Sequence, residues 1–138
     1  MSVTIKVRNK DRLARKLKQL APAVQAAIAD VNAVTANEMA ATARGLAPVR
    51  TGTLRSSITA GPAGTATGAY RVSAGGPSTT KAARGGQGSY DYALGVEFGT
   101  SDTPRQSFFF TSYRLSAKRH RSRVTRAANK AHKRIAAT

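Results

Sequence analysis

The chain has no cysteine and no tryptophan. The first absence excludes disulfides and thiolate metal sites. The second leaves only 4 Phe and 4 Tyr as large aromatics, and much of the 41% hydrophobic content is alanine, which buries little area. A chain of 138 residues with this composition reads as a single domain, 1–138, with a modest core and a surface completed by a partner. No apolar run approaches the roughly 20 residues of a membrane span, and the N-terminus lacks a signal-peptide core. The sequence therefore predicts a protein that stays in the compartment where it is made and does not span a membrane. Acids are scarce as well: 6 Asp and Glu stand against 23 Lys and Arg, a net charge of +17. Solubility needs far less than that. Such an excess repels itself and favours an anionic partner, whether nucleic acid, an acidic protein surface or a headgroup layer.

Chemistry-bearing residues are thin. His120 and His132 lie 12 apart in a basic segment, not at the i, i+4 spacing of a helical metal pair, and read as solvated surface histidines. The acids Asp11, Asp30, Glu38, Asp91, Glu97 and Asp102 form no pair in sequence. Ser56-Ser57 has no base nearby, and Gly85-Gly86-Gln87-Gly88 lacks the Lys-Ser/Thr step of a phosphate-binding loop. No catalytic residue, cofactor site or metal site is assigned.

Val3, Ile5 and Val7 alternate with polar residues and predict a strand over 1–8. Asn9 or Asp11 then caps a helix over 10–46. Its stripe is Leu13, Leu17, Leu20, Val24, Ile28, Val31, Thr35, Met39 and Leu46, with Pro22 opposite, which should kink or split it near Ala21. Gly45 and Pro48 end it. Three strands are expected over 52–100. Leu54, Ser56 and Ile58 alternate in the first, and Tyr70, Val72 and Ala74 in the second. Tyr92, Leu94, Val96 and Phe98 face inward in the third, with Ala93, Gly95 and Glu97 outward. The Gly61–Gly68 stretch reads as a hairpin connection, and 75–89, with five Gly, as a mobile loop. A Phe108-Phe109-Phe110 anchor leads into a basic helix over 111–137, which holds nine basic residues and no acid. The fold class is α+β: a long N-terminal helix packed on a small antiparallel sheet, with a basic C-terminal helix.

Two phrases are the most specific features. The first is Ala47-Pro48-Val49-Arg50-Thr51-Gly52-Thr53-Leu54-Arg55-Ser56-Ser57-Ile58, in which Pro48 stops the helix and Gly52 permits a reversal. The second is Tyr92-Ala93-Leu94-Gly95-Val96-Glu97-Phe98-Gly99-Thr100. Arg50 and Arg55 read as solvated charge, or as partners of Glu97 across a subunit boundary. Taken in order, from about Leu13 to Phe110, these features resemble the tail-completion (head–tail joining) proteins of long-tailed bacteriophages. The chain departs from that pattern after Pro104, where Thr-Ser stands in place of a Pro-Ala-like step.

The resemblance implies a structural virion protein of the neck, made in the host bacterial cytoplasm and assembled as a ring, a hexamer, with DNA passing through its lumen. Tail-terminator and head-stopper or connector proteins would be its neighbours, in a phage, a prophage or a gene-transfer agent. The motif residues Pro48, Arg50, Thr51, Gly52, Leu54, Arg55, Ser57, Ile58, Tyr92, Ala93, Val96, Glu97, Phe98, Gly99 and Thr100 would act through architecture. Lys81, Arg84, Arg119, Arg123, Arg126, Lys130 and Lys133 are the candidate contacts to partner protein or DNA. The competing reading is a small basic nucleic-acid-binding protein, with Tyr90 and Tyr92 able to stack on bases, although no RNA-binding fingerprint or recognition-helix signature is present. A membrane-surface role for the C-terminal helix is disfavoured by its alanine-rich stripe.

Overall fold

A computed structural model describes residues 10–64, 68–83, 85–86 and 88–137, with only the backbone of Lys10. The strand expected over 1–8 and the candidate contact Arg84 lie outside the described residues. Helix α1 (Lys10–Leu46) and helix α4 (Phe109–Ala136) make the most extensive contact in the molecule. They run antiparallel: Arg123 on α4 meets Glu38 on α1, and Lys16 near the start of α1 donates to the Ala136 carbonyl at the end of α4. Between them in sequence lie helix α2 (Thr53–Ser56), strands β1 (Thr59–Pro62), β2 (Tyr70–Ser73), β3 (Thr80–Ala82) and β4 (Ser89–Asp91), and helix α3 (Tyr92–Phe98).

α1 passes through Pro22 without interruption, so the split expected there does not occur. Pro22 and Lys18, whose carbonyl proline leaves without a donor, are both exposed, so water can take that carbonyl. The apolar stripe is buried only along part of its length. Met39 and Thr35 are buried and Val24, Ile28 and Val31 half-buried, while Leu13 and Leu17 are exposed because α1 extends past the end of α4. The deepest contacts of α1 come from Ala40, Ala43 and the following Ala47, which pack with Leu54, Ile58, Ala93 and Phe108. Alanine at these positions lets helix, hairpin and Phe108 approach closely where longer side chains would hold them apart.

The antiparallel sheet is two separate hairpins. β1 pairs with β2, Thr59 opposite Ser73 and Pro62 opposite Tyr70, across the glycine-rich connection. β3 pairs with β4, Thr80 opposite Asp91. The second hairpin and a 3-10 turn at Pro77–Thr79 occupy the 75–89 segment read from sequence as a mobile loop. Its order comes from polar anchoring rather than apolar burial. Asp91 accepts the Gly76 N–H at 2.7 Å, Ser57 accepts the Gly75 N–H at 3.0 Å, and Thr79 is fully buried.

Two further expected strands are helices. Gly52, at φ 82°, makes the expected reversal, but the chain then enters one helical turn. Leu54 and Ile58 reach the core as expected, since both periods place residues four apart on one face. The hydroxyls of Ser56 and Ser57 bond back to the carbonyls of Thr53 and Leu54, a local alternative to ladder pairing. At Tyr92–Phe98 the seven residues fit both periods, and the ends decide. Asp91 Oδ1 caps the Ala93 N–H at 2.9 Å, and Gly99, at φ 84°, closes the C-terminus onto the Gly95 carbonyl.

Candidate functional site

The helical form of 92–98 keeps Tyr92 and Val96 against the core, as expected, but changes the facing of the other residues of the second phrase. Ala93 and Glu97 point inward, 5% and 6% exposed, while Leu94 and Phe98 are 61% and 63% exposed. Phe98 is therefore not a core residue. Its ring lies 5.9 Å from that of Phe110, which is also exposed.

Glu97 is not available to an ion pair across subunits. Its carboxylate sits at the N-terminus of α4. Oε2 accepts the N–H groups of Phe108 and Phe109 at 2.9 and 2.8 Å, and Oε1 accepts the Ser107 hydroxyl at 2.6 Å and the Phe110 N–H at 3.1 Å. A helix start leaves such N–H groups without partners and carries partial positive charge, so one carboxylate answers both needs. Burial pushes the Glu97 pKa up, but the bonds from Ser107 and from the Phe109, Phe110 and Phe108 amides outweigh it and hold the carboxyl below its ordinary value. The Thr-Ser step that follows the phenylalanines lies inside α4, so the departure from the Pro-Ala-like step does not undock that helix. Phe108, 1% exposed, anchors it.

Both phrases line one cleft of about 630 Å³, the first through Pro48–Gly52 and Leu54, the second through Tyr92, Gly95, Val96 and Thr100. Lys81 and Tyr90 of the second hairpin complete its wall, and the Lys81 ammonium sits 5.7 Å from the centre of the Tyr92 ring. Arg50 and Arg55 are exposed. Asp91, beside this cleft, serves the hairpin. Burial raises its pKa, the Thr79 hydroxyl and the Ala93 and Gly76 amides lower it, and the sum lies below the ordinary value.

The basic residues of α4 divide. Arg123 forms a bidentate pair with Glu38 at 2.7 and 2.9 Å, and Arg119 approaches the same carboxylate at 3.7 Å. The Arg123 bond is the main cause of a lowered Glu38 pKa. Arg123 thus joins the two helices and is not a free contact, whereas Arg126, Lys130 and Lys133 are exposed and carry no ion pair among the described residues. His120 is half-buried rather than solvated, because it falls on the face of α4 turned toward α1. Its Nδ1 and the Thr35 hydroxyl oxygen are buried without a protein partner, and both residues line a second cleft of about 540 Å³. His132 is exposed. Among the described residues no cluster of His, Asp and Glu could hold a metal ion, and no helix is long and apolar enough to cross a membrane.

Sequence reasoning missed the Glu97 cap. The available signal was its position ten residues before Ser107, with the Phe triplet opening a helix just beyond. What hid it was the strand reading of 92–98, which turns Glu97 outward.

Residues 11–99, which hold both phrases, match the profile of a family described as "Bacteriophage HK97-gp10, putative tail-component". The chain belongs to that family. It is a bacteriophage tail component, a virion protein that assembles with other virion proteins. The match ends at the close of α3, so α4 and its basic residues lie beyond it. Neither the curated proteins nor the solved structures contain a match to the chain.

Proposed function

We propose that this tail component is a structural neck protein. It forms a hexameric ring that joins or completes the tail at the head–tail interface, with DNA passing through the lumen, and its neighbours are tail-terminator and head-stopper or connector proteins. The supporting observation is the two-sided use of the second phrase. Inward, Glu97 locks α4 in place; outward, Leu94 and Phe98 stand exposed beside Phe110. Contiguous large apolar side chains left in water mark an interaction surface, and a rigid mount for them suits a ring contact. The role is architectural and calls for no catalysis.

The competing role, a small basic nucleic-acid-binding protein, rests on the +17 charge. The mass of the purified protein, measured at low and high salt with and without DNA, separates the two. A closed ring that persists without nucleic acid supports the neck role. A monomer that changes mass only with DNA supports the alternative. In the ring reading, replacing Leu94 and Phe98 by Ser abolishes assembly while helix content is retained; unchanged assembly removes the proposed contact.

A further inference from the structure

The antiparallel pairing of α1 and α4 brings two basic segments, far apart in sequence, to one end of the molecule. Lys16 reaching the Ala136 carbonyl at 3.1 Å fixes this juxtaposition. Across 10–30 of α1 and 124–136 of α4 there are nine Lys and Arg, five on the first and four on the second, against Asp11 and Asp30. Arg12, Arg15 and Lys18 are exposed on α1, as are Arg126, Lys130 and Lys133 on α4, and none of the six has an ion pair among the described residues. Three of the six acids are committed elsewhere: Glu97 to the start of α4, Asp91 to the second hairpin, and Glu38 to Arg123 and Arg119.

We infer that this two-helix end binds the phosphate backbone of duplex DNA without reading sequence. Three features favour DNA over an acidic protein. First, the charge is spread along two rods: Arg12 to Lys18 and Arg126 to Lys133 each span about 10 Å at 1.5 Å per residue, so each covers roughly three base-pair steps of a polyanion. Second, neither segment contains an aromatic residue, since none occurs in 10–46 or after Tyr113. Stacking on bases and the aromatic anchors typical of protein interfaces are therefore both missing here. Third, along α4 the exposed apolar residues Phe110, Tyr113 and Leu115 lie near its start, beside the exposed Leu94 and Phe98 and away from Arg126, Lys130 and Lys133; on α1 the exposed Leu13 and Leu17 stand among the cations. The inference rests on the proposed placement beside the DNA path and assigns the surface that faces it. It also revises the sequence-level contact set, removing Arg123 and adding α1.

The test is equilibrium binding of the full chain to fluorescent duplexes of two unrelated sequences, titrated with salt. With about four to five phosphates contacted, the slope of log affinity against log salt is about −4, and affinity falls roughly 300-fold between about 50 and about 200 mM salt, equally for both sequences. The triple variants Arg126→Gln/Lys130→Gln/Lys133→Gln and Arg12→Gln/Arg15→Gln/Lys18→Gln each flatten the slope by about 2 to 3. A control, Arg55→Gln/Arg71→Gln/Arg105→Gln, removes the same charge from the hairpin side and changes it by less than about 1. Helix content measured on every variant separates lost contact from lost fold. Three results each overturn the inference: no binding at low salt, equal losses in the control, or binding to polyglutamate but not to DNA. Mass measured without DNA keeps the two proposals distinct. A monomer with the expected slope removes the ring alone, and a ring with no slope removes the DNA surface alone.

Discussion

Replacing Glu97 tests the central structural assignment. Glu97→Ala leaves the N–H groups of Phe108, Phe109 and Phe110 and the Ser107 hydroxyl without their acceptor. Each buried donor left unpaired costs about 1–3 kcal/mol, and water entering the vacated space recovers part of it, so the expected loss is about 3–4 kcal/mol. Glu97→Gln keeps one acceptor oxygen but turns an NH2 group toward N–H donors and removes the charge from the helix start; its expected loss is about 1–2 kcal/mol. At this chain length each kcal/mol lowers Tm by roughly 3–5 °C. Denaturant midpoints and Tm read both variants. The pH dependence adds a second check. The folded pKa of Glu97 lies below its ordinary value of 4.5, so its contribution is fully present above that value and is lost as pH falls through the lower folded value. Wild type should lose stability across that acid window more steeply than Glu97→Gln. A Glu97→Gln protein as stable as wild type, with the same acid profile and a defect only in assembly, would refute the cap and restore the subunit-interface reading.

Further outcomes follow from the same geometry. Phe108→Ala should cost roughly 3–5 kcal/mol because the ring is buried, whereas Phe98→Ala should leave unfolding nearly unchanged and weaken assembly, as paired melting and assembly assays would show. Gly75→Ala should destabilise by about 1–3 kcal/mol, since φ is +92° and the new Cβ would collide with the Asp91 carboxylate; faster amide exchange over 76–91 would register the loosened hairpin. Arg123→Gln should lower Tm measurably and Arg119→Gln should not, because the first holds Glu38 by two short bonds and the second by one long contact.

Several elements were legible without coordinates because their signals are local and long. The 3.6-residue pattern of α1, its end before Pro48, the reversal at Gly52 and the basic C-terminal helix all follow from periodicity and backbone chemistry. Of the first hairpin only the second strand, Tyr70–Ser73, was legible, from alternation after a glycine-rich stretch; its partner Thr59–Pro62 begins after the strand expected over Leu54–Ile58. Shorter segments were not legible. Over seven residues, Tyr92–Phe98 satisfies period 2 and the i, i+4 pattern alike, and only the Asp91 cap and the Gly99 closure choose between them. The 75–89 segment offered little apolar area, and its order comes from carboxylate and hydroxyl bonds that no hydropathy pattern reports.

What the sequence determined by itself was therefore the family, the α+β class and the chain's own net charge, since these rest on local motifs and on a composition that no fold can change. Tertiary structure alone decided which residues carry the roles. Whether Glu97 faces out or caps a helix, whether Phe98 or Phe108 is the anchor, and whether Arg123 is free depend on contacts between residues tens of positions apart. So does the basic end shared by α1 and α4. Packing two helices antiparallel places Lys16 beside Ala136, and a proximity across 120 residues leaves no trace in local periodicity.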